Sequence, residues 1–275
     1  MPMKIVPLIV AAAVGCGAAA AASSQATTNP AQATTKTAHA TTKHASATTS
    51  APAPSQVDPG AVAALTKMSA YLRTLPAFQI TLQARRDDVD VYGQLITLNG
   101  EVVYKVRRPD ALAVDLALPA MTRQYIYDGK TVTVFDPKTG YYGKIQAPPT
   151  IRETLELASD KYGVALPLVD LFTWSEGNDQ TKALTSAHYI GKAQVDGQAA
   201  NQYAFRQPGV DWQIWIADGD KPVPLRVALV ARDDPARPKF EADLAWDTAP
   251  QFDQGAFAFT PPANAKSIQI VPLQP

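Results

Sequence analysis

Histidine and cysteine, two side chains that commonly bind metals or take part in nucleophilic and acid–base chemistry, are scarce in this chain. His188 is the only histidine beyond residue 57, and Cys16 is the only cysteine among the 275 residues. A zinc site built on one histidine would need several carboxylates to complete it. Because His188 lies next to Tyr189 in a segment that alternates like a strand, we interpret it as a strand residue.

One acidic cluster has the composition of a cation site. Asp87, Asp88 and Asp90 stand beside Arg85 and Arg86, and carboxylates are the usual protein ligands of calcium and magnesium. A mixed run of acidic and basic residues is more typical of the solvated end of a strand. We therefore predict no metal site here.

The tripeptide Gly129-Lys130-Thr131 resembles the end of a phosphate-binding loop. It lacks the earlier glycines of that motif and follows Asp128 in a predicted hairpin, whereas a phosphate loop precedes a helix. The chain also contains no Gly-x-Ser-x-Gly sequence that would expose a nucleophilic serine. Since no nucleophile or acid–base group converges, we expect a non-enzymatic protein without a cofactor or metal.

The first 22 residues have the properties of an export signal. Lys4 is the only early charge, an apolar run covers residues 5–14, and small residues follow as far as Ala22. The run is shorter than the ~20 residues of a membrane-spanning helix. Cleavage after Ala22 would give a soluble protein, whereas residues 14–16 (Val-Gly-Cys) resemble the end of a bacterial lipobox, which would lipidate Cys16. Both alternatives predict a periplasmic protein, either soluble or lipid-anchored to the envelope.

Residues 23–56 form a low-complexity segment. Ala-Thr-Thr recurs at positions 26, 33, 40 and 47, with a period of seven residues. The repeated residues are small and polar and offer no coiled-coil seam, and prolines interrupt the segment. We predict a disordered linker, with no metal site at His39 or His44, followed by a single folded domain over residues 57–275.

The charge balance argues against two classes of partner. Lys4, Lys36 and Lys43 are the only charged residues before Asp58, so the folded domain holds 22 of the 25 basic residues and all 25 acidic ones, a formal charge of about −3. No run of lysine or arginine occurs. Nucleic acid and anionic membrane surfaces are therefore not expected as electrostatic partners.

The folded domain alternates between helical and strand periodicity. Asp58 is the N-cap of a predicted helix that ends before Pro76, and Thr150 with Glu153 forms the capping box of a second helix. A third, leucine-rich helix is predicted over residues 166–174. About eleven segments with a period of two predict strands over residues 78–91, 92–106, 111–118, 123–127, 131–135, 141–146, 188–195, 198–207, 211–217, 225–232 and 239–246.

Turns and a C-terminal arm complete this outline. Residues 99–100, 128–129 and 196–197 are Asn-Gly or Asp-Gly pairs, which supply the chemistry of tight turns. Residues 252–262 are rich in aromatic residues and proline, and we expect them to pack as an irregular arm.

The segment over residues 203–234 carries large apolar side chains on both faces of its predicted strands. Trp212 and Ile214 should point to one side and Trp215 to the other, because strand side chains alternate. A sheet with one solvated face would alternate polar with apolar residues more cleanly. We therefore expect a core on one face and a helix, a second sheet or a ligand on the other.

Several short sequences, in order along residues 60–270, resemble those of a bacterial family of predicted periplasmic proteins described as a domain of unknown function. They are residues 68–72 (Met-Ser-Ala-Tyr-Leu), 108–110 (Arg-Pro-Asp), 127–131 (Tyr-Asp-Gly-Lys-Thr), 141–142 (Tyr-Tyr), 166–171 (Leu-Pro-Leu-Val-Asp-Leu), 195–197 (Val-Asp-Gly), 211–216 (Asp-Trp-Gln-Ile-Trp-Ile) and 257–262 (Phe-Ala-Phe-Thr-Pro-Pro). This family is similar in fold to the superfamily of the lipoprotein carriers LolA and LolB. A shared fold does not transfer any lipid-contacting residue by position.

The resemblance implies a mainly β (α+β) fold. This would be a half-open, strongly curved antiparallel β-barrel of about eleven strands, with an N-terminal helix and a central helical plug or lid. In the carriers this cup shelters acyl chains, so we expect a monomeric binder or carrier of a lipid, an acyl chain or a lipoprotein. The residues that could line the cup are Leu168, Leu171, Trp174, Tyr203, Phe205, Trp212 and Trp215.

An alternative leaves the cup filled. The helices over residues 150–162 and 166–174 would then be a plug, and the aromatic residues would be ordinary core. In that case we expect an envelope-tethered interaction or sensor module, which binds a protein on a sheet edge or under the helices.

Overall fold

The computed structural model describes residues 56–119, 121–164, 166–169 and 180–273, which all belong to one compact unit. The predicted export signal with Cys16, and the linker except for its last residue, lie outside this part. The described residues contain helices α1 (Pro59–Thr74) and α2 (Ile151–Tyr162) and a short 3₁₀ helix (Gln180–Ala183). The strands are β1 (Ala77–Val89), β2 (Leu95–Arg107), β3 (Ala111–Ala117), β4 (Thr122–Tyr127), β5 (Thr131–Phe135), β6 (Tyr141–Gln146), β7 (Ser186–Val195), β8 (Gln198–Gln207), β9 (Val210–Ala217), β10 (Pro224–Ala231), β11 (Lys239–Asp247) and β12 (Lys266–Ser267).

Both α-helices begin with the caps that the sequence specifies. The Asp58 carboxylate accepts a hydrogen bond from Gly60 N at 2.8 Å. The Thr150 hydroxyl accepts from Glu153 N at 3.3 Å and donates to the Glu153 carboxylate at 2.7 Å, so the first turn of α2 is fixed from both sides. Gly163 ends α2 in the left-handed conformation, with φ at 65°.

The strands of the described chain form one sheet in the order β12-β6-β5-β4-β3-β2-β1-β11-β10-β9-β8-β7. From the central β1 the chain runs outward strand by strand to β6, crosses through α2 to the opposite edge at β7, and returns to β11 beside β1. Neighbours are antiparallel except for β12 and β6. The mainly β class is confirmed. The sheet is curved and open rather than closed as a barrel, because its edge strands β12 and β7 do not pair with each other in the described chain.

Two expectations about individual elements need correction. The sheet has twelve strands rather than about eleven, because Lys266 and Ser267 add a two-residue strand parallel to β6, too short to show a period. Leu166 has no regular structure and residues 167–169 form a turn, with Leu168 at a φ of 57°, so the helix predicted from Leu166 does not begin there. Residues 170–174 of that prediction lie outside the described residues.

The prediction of turn chemistry at the pair Asn99-Gly100 is wrong. Both residues lie inside β2, opposite Arg85 and Ala84 of β1. A Cβ atom on Gly100 would lie 2.3 Å from Leu118 Cδ2, so glycine is needed here because another side chain crosses the strand closely.

One face of the sheet packs against α1, and we call it the inner face. Alternate residues of β1, namely Phe78, Ile80 and Leu82, point to this side and are buried. From α1 the apolar side chains Leu65, Met68 and Leu72, together with Ala61, enter the same core cluster. This interleaving of one helical stripe with alternate strand residues forms the main core.

The opposite face, the outer face, is covered in part by the C-terminal arm. Phe257 is buried against Ala111 and Ala113 of β3 and meets Phe252 edge to face at 5.1 Å. The Arg107 guanidinium lies over the Phe257 ring, 4.8 Å from its centroid. The irregular aromatic arm that the sequence predicts is therefore present and packs on β3. The cover expected on both faces of residues 203–234 concerns the other half of the sheet and stays a prediction.

Candidate functional site

Four aromatic side chains form a continuous row on the inner face of β7, β8 and β9, and we call them the aromatic row. Phe205 stacks on Trp212 with ring centroids 4.3 Å apart. Tyr203 lies 6.4 Å from Phe205, and Tyr189 lies 5.4 Å from Tyr203. Cross-strand pairing aligns them, since Phe205 is opposite Trp212 and Tyr189 is opposite Tyr203.

The aromatic row runs from the core to solvent. Trp212 is 2% exposed and Phe205 is also buried, Tyr203 is partly buried, and Tyr189 is 45% exposed. The buried end is therefore fixed by packing, whereas the other end presents aromatic surface at the edge strand β7. Apolar surface that continues a core into solvent is a common property of binding sites for apolar ligands.

A β-bulge brings Tyr189 into the row. The Asp196-Gly197 turn pairs Val195 with Gln198, and this register continues to the pair Gly191–Gln202. It then shifts by one residue, so that Tyr189 rather than Ile190 lies opposite Tyr203. Without this extra residue the Tyr189 side chain would point to the outer face.

Polar groups line the exposed end of the aromatic row. The Tyr189 hydroxyl donates to Asn201 Oδ1 at 3.2 Å, and Asn201 Nδ2 donates to Asp218 Oδ1 at 3.2 Å. Burial raises the pKa of Tyr203, and the nearby Tyr189, Asp218 and Asp58 raise it further. The row therefore ends in phenol hydroxyls beside a carboxylate and an amide, which can contact the polar part of a ligand.

Helix α1 is attached at two places close to the aromatic row. Asp58 N donates to Ala187 O on β7 at 2.9 Å. Lys67 Nζ donates to Gly219 O, in the turn after β9, at 3.4 Å. These contacts hold the start of α1 beside β7 and its middle beside the turn after β9.

The inner face of β2 and β4 is covered by the chain on either side of α2. The Tyr127 hydroxyl donates to Pro148 O, and the Tyr104 hydroxyl donates to Pro167 O, each at 2.5 Å. Burial raises the pKa of Tyr104 well above its ordinary value, so its hydroxyl remains a donor. This half of the inner face is occupied by the protein's own chain, which leaves the aromatic row as the candidate surface.

The other predicted lining residues have different positions. Trp215 points to the outer face, as the alternation predicts, where the Arg226 guanidinium lies 5.8 Å from its ring centroid. It therefore does not share the face of Trp212. Leu168 is partly buried against the inner-face core, whereas Leu171 and Trp174 lie outside the described residues.

The acidic cluster is used in local contacts. Asp88 pairs with Arg86 at 2.7 Å, and Asp87 accepts from the Thr97 hydroxyl at 2.9 Å. Asp90 accepts two backbone N–H bonds of its own turn. Across residues 56–119, 121–164, 166–169 and 180–273, no three His, Cys, Asp or Glu side chains are grouped so that they could hold a metal ion.

His188 directly precedes Tyr189 on β7, but its side chain lies on the opposite face of the sheet from the aromatic row. Its Nδ1 is 3.4 Å from Ser186 Oγ. Both side chains are on the outer face, since Ala187 between them points inward and is buried. The pair is therefore separated by the sheet from the surface that the row offers.

The family of this chain follows from its sequence. Residues 61–271 match the family described as Predicted periplasmic protein (DUF2092). The chain belongs to this family. The match confirms the resemblance and the periplasmic localisation that the sequence predicts. No curated protein matches the chain.

Solved structures with a similar fold have low sequence identity to this member of the family. An uncharacterised conserved protein from Thermus thermophilus is 12% identical, with 76% of this chain and 99% of that chain covered and a TM-score of 0.44. Lipoprotein LppX of Mycobacterium tuberculosis is 13% identical, with 71% and 100% covered and a TM-score of 0.43. A LolA superfamily protein from Nitrosomonas europaea is 11% identical, with 72% and 97% covered and a TM-score of 0.37. These similarities concern the fold alone.

None of the described helices is both long enough and apolar enough to cross a bilayer.

Proposed function

We propose that this protein is a non-enzymatic periplasmic protein that binds an amphiphile, namely a lipid, an acyl chain or a lipoprotein, along the aromatic row. The observation that carries the proposal is the continuity of the row from the buried Trp212 to the exposed Tyr189. Such a surface is fixed by packing at one end and accessible at the other. Fewer of its side chains must therefore be ordered when a ligand binds, which lowers the entropic cost of binding.

The chemistry of the site fits a ligand with an apolar chain and a polar end. The chain would lie over Tyr189 and the accessible part of Tyr203, and the polar end would meet Asn201 and Asp218. Burying a methylene group contributes about 0.8 kcal/mol. A chain that places ten methylenes against the protein would therefore gain roughly 8 kcal/mol before the costs of association.

Binding without catalysis agrees with the groups that the site contains. The described residues near the aromatic row are phenols, an amide and carboxylates, and His188 points to the opposite face. No nucleophile with an adjacent base faces the row among these residues. We therefore assign the site to binding or transport of an intact amphiphile.

The N-terminal segment would deliver the domain to its place of action. We propose that residues 1–22 direct export and that residues 23–56 act as a flexible linker. Cleavage after Ala22 would leave the protein soluble, whereas lipidation at Cys16 would anchor it to the envelope. The intact mass of the mature protein separates these two outcomes.

The proposal is tested by purifying the exported protein without detergent and extracting it for lipid mass spectrometry. We expect an amphiphile in stoichiometric amount. Tyr189→Ala should lower that amount, whereas Tyr141→Ala should not, although Tyr141 on β6 is similarly exposed at 43%. A protein that carries no amphiphile and binds no fluorescent fatty acid contradicts the proposal.

A second candidate function is that of a protein-interaction module. Among the described residues, the free side of β7 is paired only at Ala187, which forms an isolated bridge with Val57. An extended peptide could add a strand along residues 188–195. A partner that protects the backbone amides of these residues from hydrogen exchange, with the aromatic row unliganded, would favour this function over amphiphile binding.

A further inference from the structure

The hairpin between β1 and β2 carries apolar side chains into solvent. Val91 is 93% exposed and Tyr92 is 87% exposed, and Val89, Leu95 and Ile96 are exposed as well. We call these five residues the hairpin tip. Single exposed apolar residues are common on protein surfaces, but here five lie within eight positions of one hairpin. Val89 pairs with Leu95, so these two share one face of the ribbon next to the turn, whereas Ile96 lies on the other face.

The hairpin tip stands clear of the sheet. β11 pairs with β1 only as far as Arg86, and β3 pairs with β2 only from Glu101 onward. β1 and β2 continue to pair with each other up to Val89 and Leu95. At about 3.4 Å per residue, the last three pairs extend the ribbon by roughly 10 Å beyond its neighbours.

The turn at the end of the hairpin is internally hydrogen-bonded. The Asp90 carboxylate accepts from Tyr92 N at 2.9 Å and from Gln94 N at 2.8 Å. The backbone adds Asp90 N to Gln94 O at 2.9 Å and Gly93 N to Asp90 O at 3.0 Å. Because these N–H groups have partners within the turn, the tip can leave bulk water with a reduced cost for its backbone.

The charges around the tip limit what it can contact. Arg86 pairs with Asp88, and Asp87 accepts from Thr97. Residues 86–96 thus hold three carboxylates, including Asp90, against the single guanidinium of Arg86, and Arg85 is paired with Glu241 and Asp243 on β11. An anionic surface would therefore be repelled. The Asp90 carboxylate also keeps the turn from entering a hydrocarbon core deeply.

We propose that the hairpin tip inserts shallowly into a lipid surface with zwitterionic headgroups. A narrow convex ribbon with apolar side chains at its end fits a deformable lipid surface, and tyrosine is favoured at the boundary between headgroups and acyl chains. Insertion at this depth places Val91, Tyr92 and Leu95 among apolar groups while Asp90 stays in the headgroup layer. The proposal does not depend on a ligand at the aromatic row.

Vesicle flotation of the exported protein, with the removal of residues 1–22 verified by intact mass, tests this inference. Cys16→Ser is present in every variant, so that no acyl anchor contributes to binding. With phosphatidylcholine vesicles we expect the reference protein to float and Val91→Ser/Tyr92→Ser to lower its vesicle partition coefficient about tenfold. The matched control, Val271→Ser/Tyr141→Ser, changes a valine and a tyrosine that are 68% and 43% exposed elsewhere, and should float like the reference protein.

Two results would overturn the proposal. The first is a reference protein that stays with the soluble fraction at every phosphatidylcholine concentration. The second is equal flotation of Val91→Ser/Tyr92→Ser and the reference protein. Replacement of part of the phosphatidylcholine by phosphatidylglycerol should weaken flotation, and stronger binding there would contradict the role given to the carboxylates.

Discussion

Phe205 on β8 and Trp212 on β9 stack across the inner face, with centroids 4.3 Å apart and ring planes 23° from parallel. Both side chains are buried, and Tyr203 continues the row from Phe205 toward solvent. The candidate binding surface is therefore an extension of the core rather than a separate loop site. The geometry of its exposed end depends on packing that the rest of the domain holds in place.

The two tryptophans of β9 should differ in their contribution to stability. Trp212→Ala removes a fully buried ring and should lower the free energy of unfolding by about 3–5 kcal/mol. Trp215→Ala removes a partly buried ring on the outer face and should lower the free energy of unfolding by a clearly smaller amount. Urea unfolding followed by circular dichroism measures both values, and equal losses would contradict the assignment of the rings to opposite faces.

Alkaline pH should destabilise the protein partly through Tyr104. Burial raises the pKa of this phenol in the folded state above its ordinary value, so the folded protein keeps a proton that the unfolded chain loses above pH ~10. Stability is therefore fully present below that pH and falls as the pH rises through it. Tyr104→Phe should reduce this fall, and should cost about 1 kcal/mol at pH 7 through the lost hydrogen bond to Pro167 O. An unchanged alkaline slope in Tyr104→Phe, from unfolding curves between pH 7 and 11, would contradict this account.

Acidic pH should lower the stability of the folded protein partly by protonating Asp211. The hydrogen bond from Arg206, at 2.5 Å, lowers the pKa of this carboxyl below 3.8, with further help from Arg232 and Arg237. A depressed folded pKa adds stability above the unfolded value, and this stability is lost as the pH falls through the folded pKa. Asp211→Asn should thus be less stable than wild type at pH 7, and the two should converge only as the pH falls through the depressed pKa of Asp211 in the folded state. The groups are partly exposed, so high salt should reduce the difference at pH 7; a difference that persists at low pH would refute the role of this charge.

The packing of the C-terminal tail, residues 268–273, should depend on the absence of a side chain at Gly143. A Cβ atom there would lie 2.5 Å from Ile270 Cγ1. Gly143→Ala should cost about 1–3 kcal/mol through overpacking and speed hydrogen exchange at residues 268–273. In the double variant Gly143→Ala/Ile270→Ala the clash is relieved. Its loss in free energy of unfolding should therefore be smaller than the sum of the losses in the two single variants. Strictly additive losses would show that the tail does not pack on Gly143.

The parts of the fold that local chemistry determines could be predicted from the sequence. The caps at Asp58 and Thr150 begin α1 and α2 as expected. Asp196 and Gly197 both have positive φ, 48° and 77°, as a tight hairpin turn requires. The opposite orientation of Trp212 and Trp215 follows from strand alternation alone.

The parts that depend on contacts between distant residues could not be predicted. The bulge at Ile190 moves Tyr189 into the aromatic row, although nothing in the local composition of β7 fixes its register. Gly100 permits a close contact with Leu118 rather than a turn, and this requires knowledge of β3. The aromatic character of Phe205, Trp212 and Tyr203 predicts them as lining residues, whereas Asn201 and Asp218 are recognisable only once their side chains meet.

The central claim, that an acyl chain binds along the aromatic row, is tested most directly by photo-crosslinking. The purified protein is illuminated with a fatty acid that carries a diazirine at the end of its chain, and the labelled peptides are mapped by mass spectrometry. We predict labels on β7 and β8 around Tyr189 and Tyr203, the accessible residues of the row, which unlabelled fatty acid competes away. Labels confined to the outer face, or labels that excess fatty acid does not displace, would contradict the account.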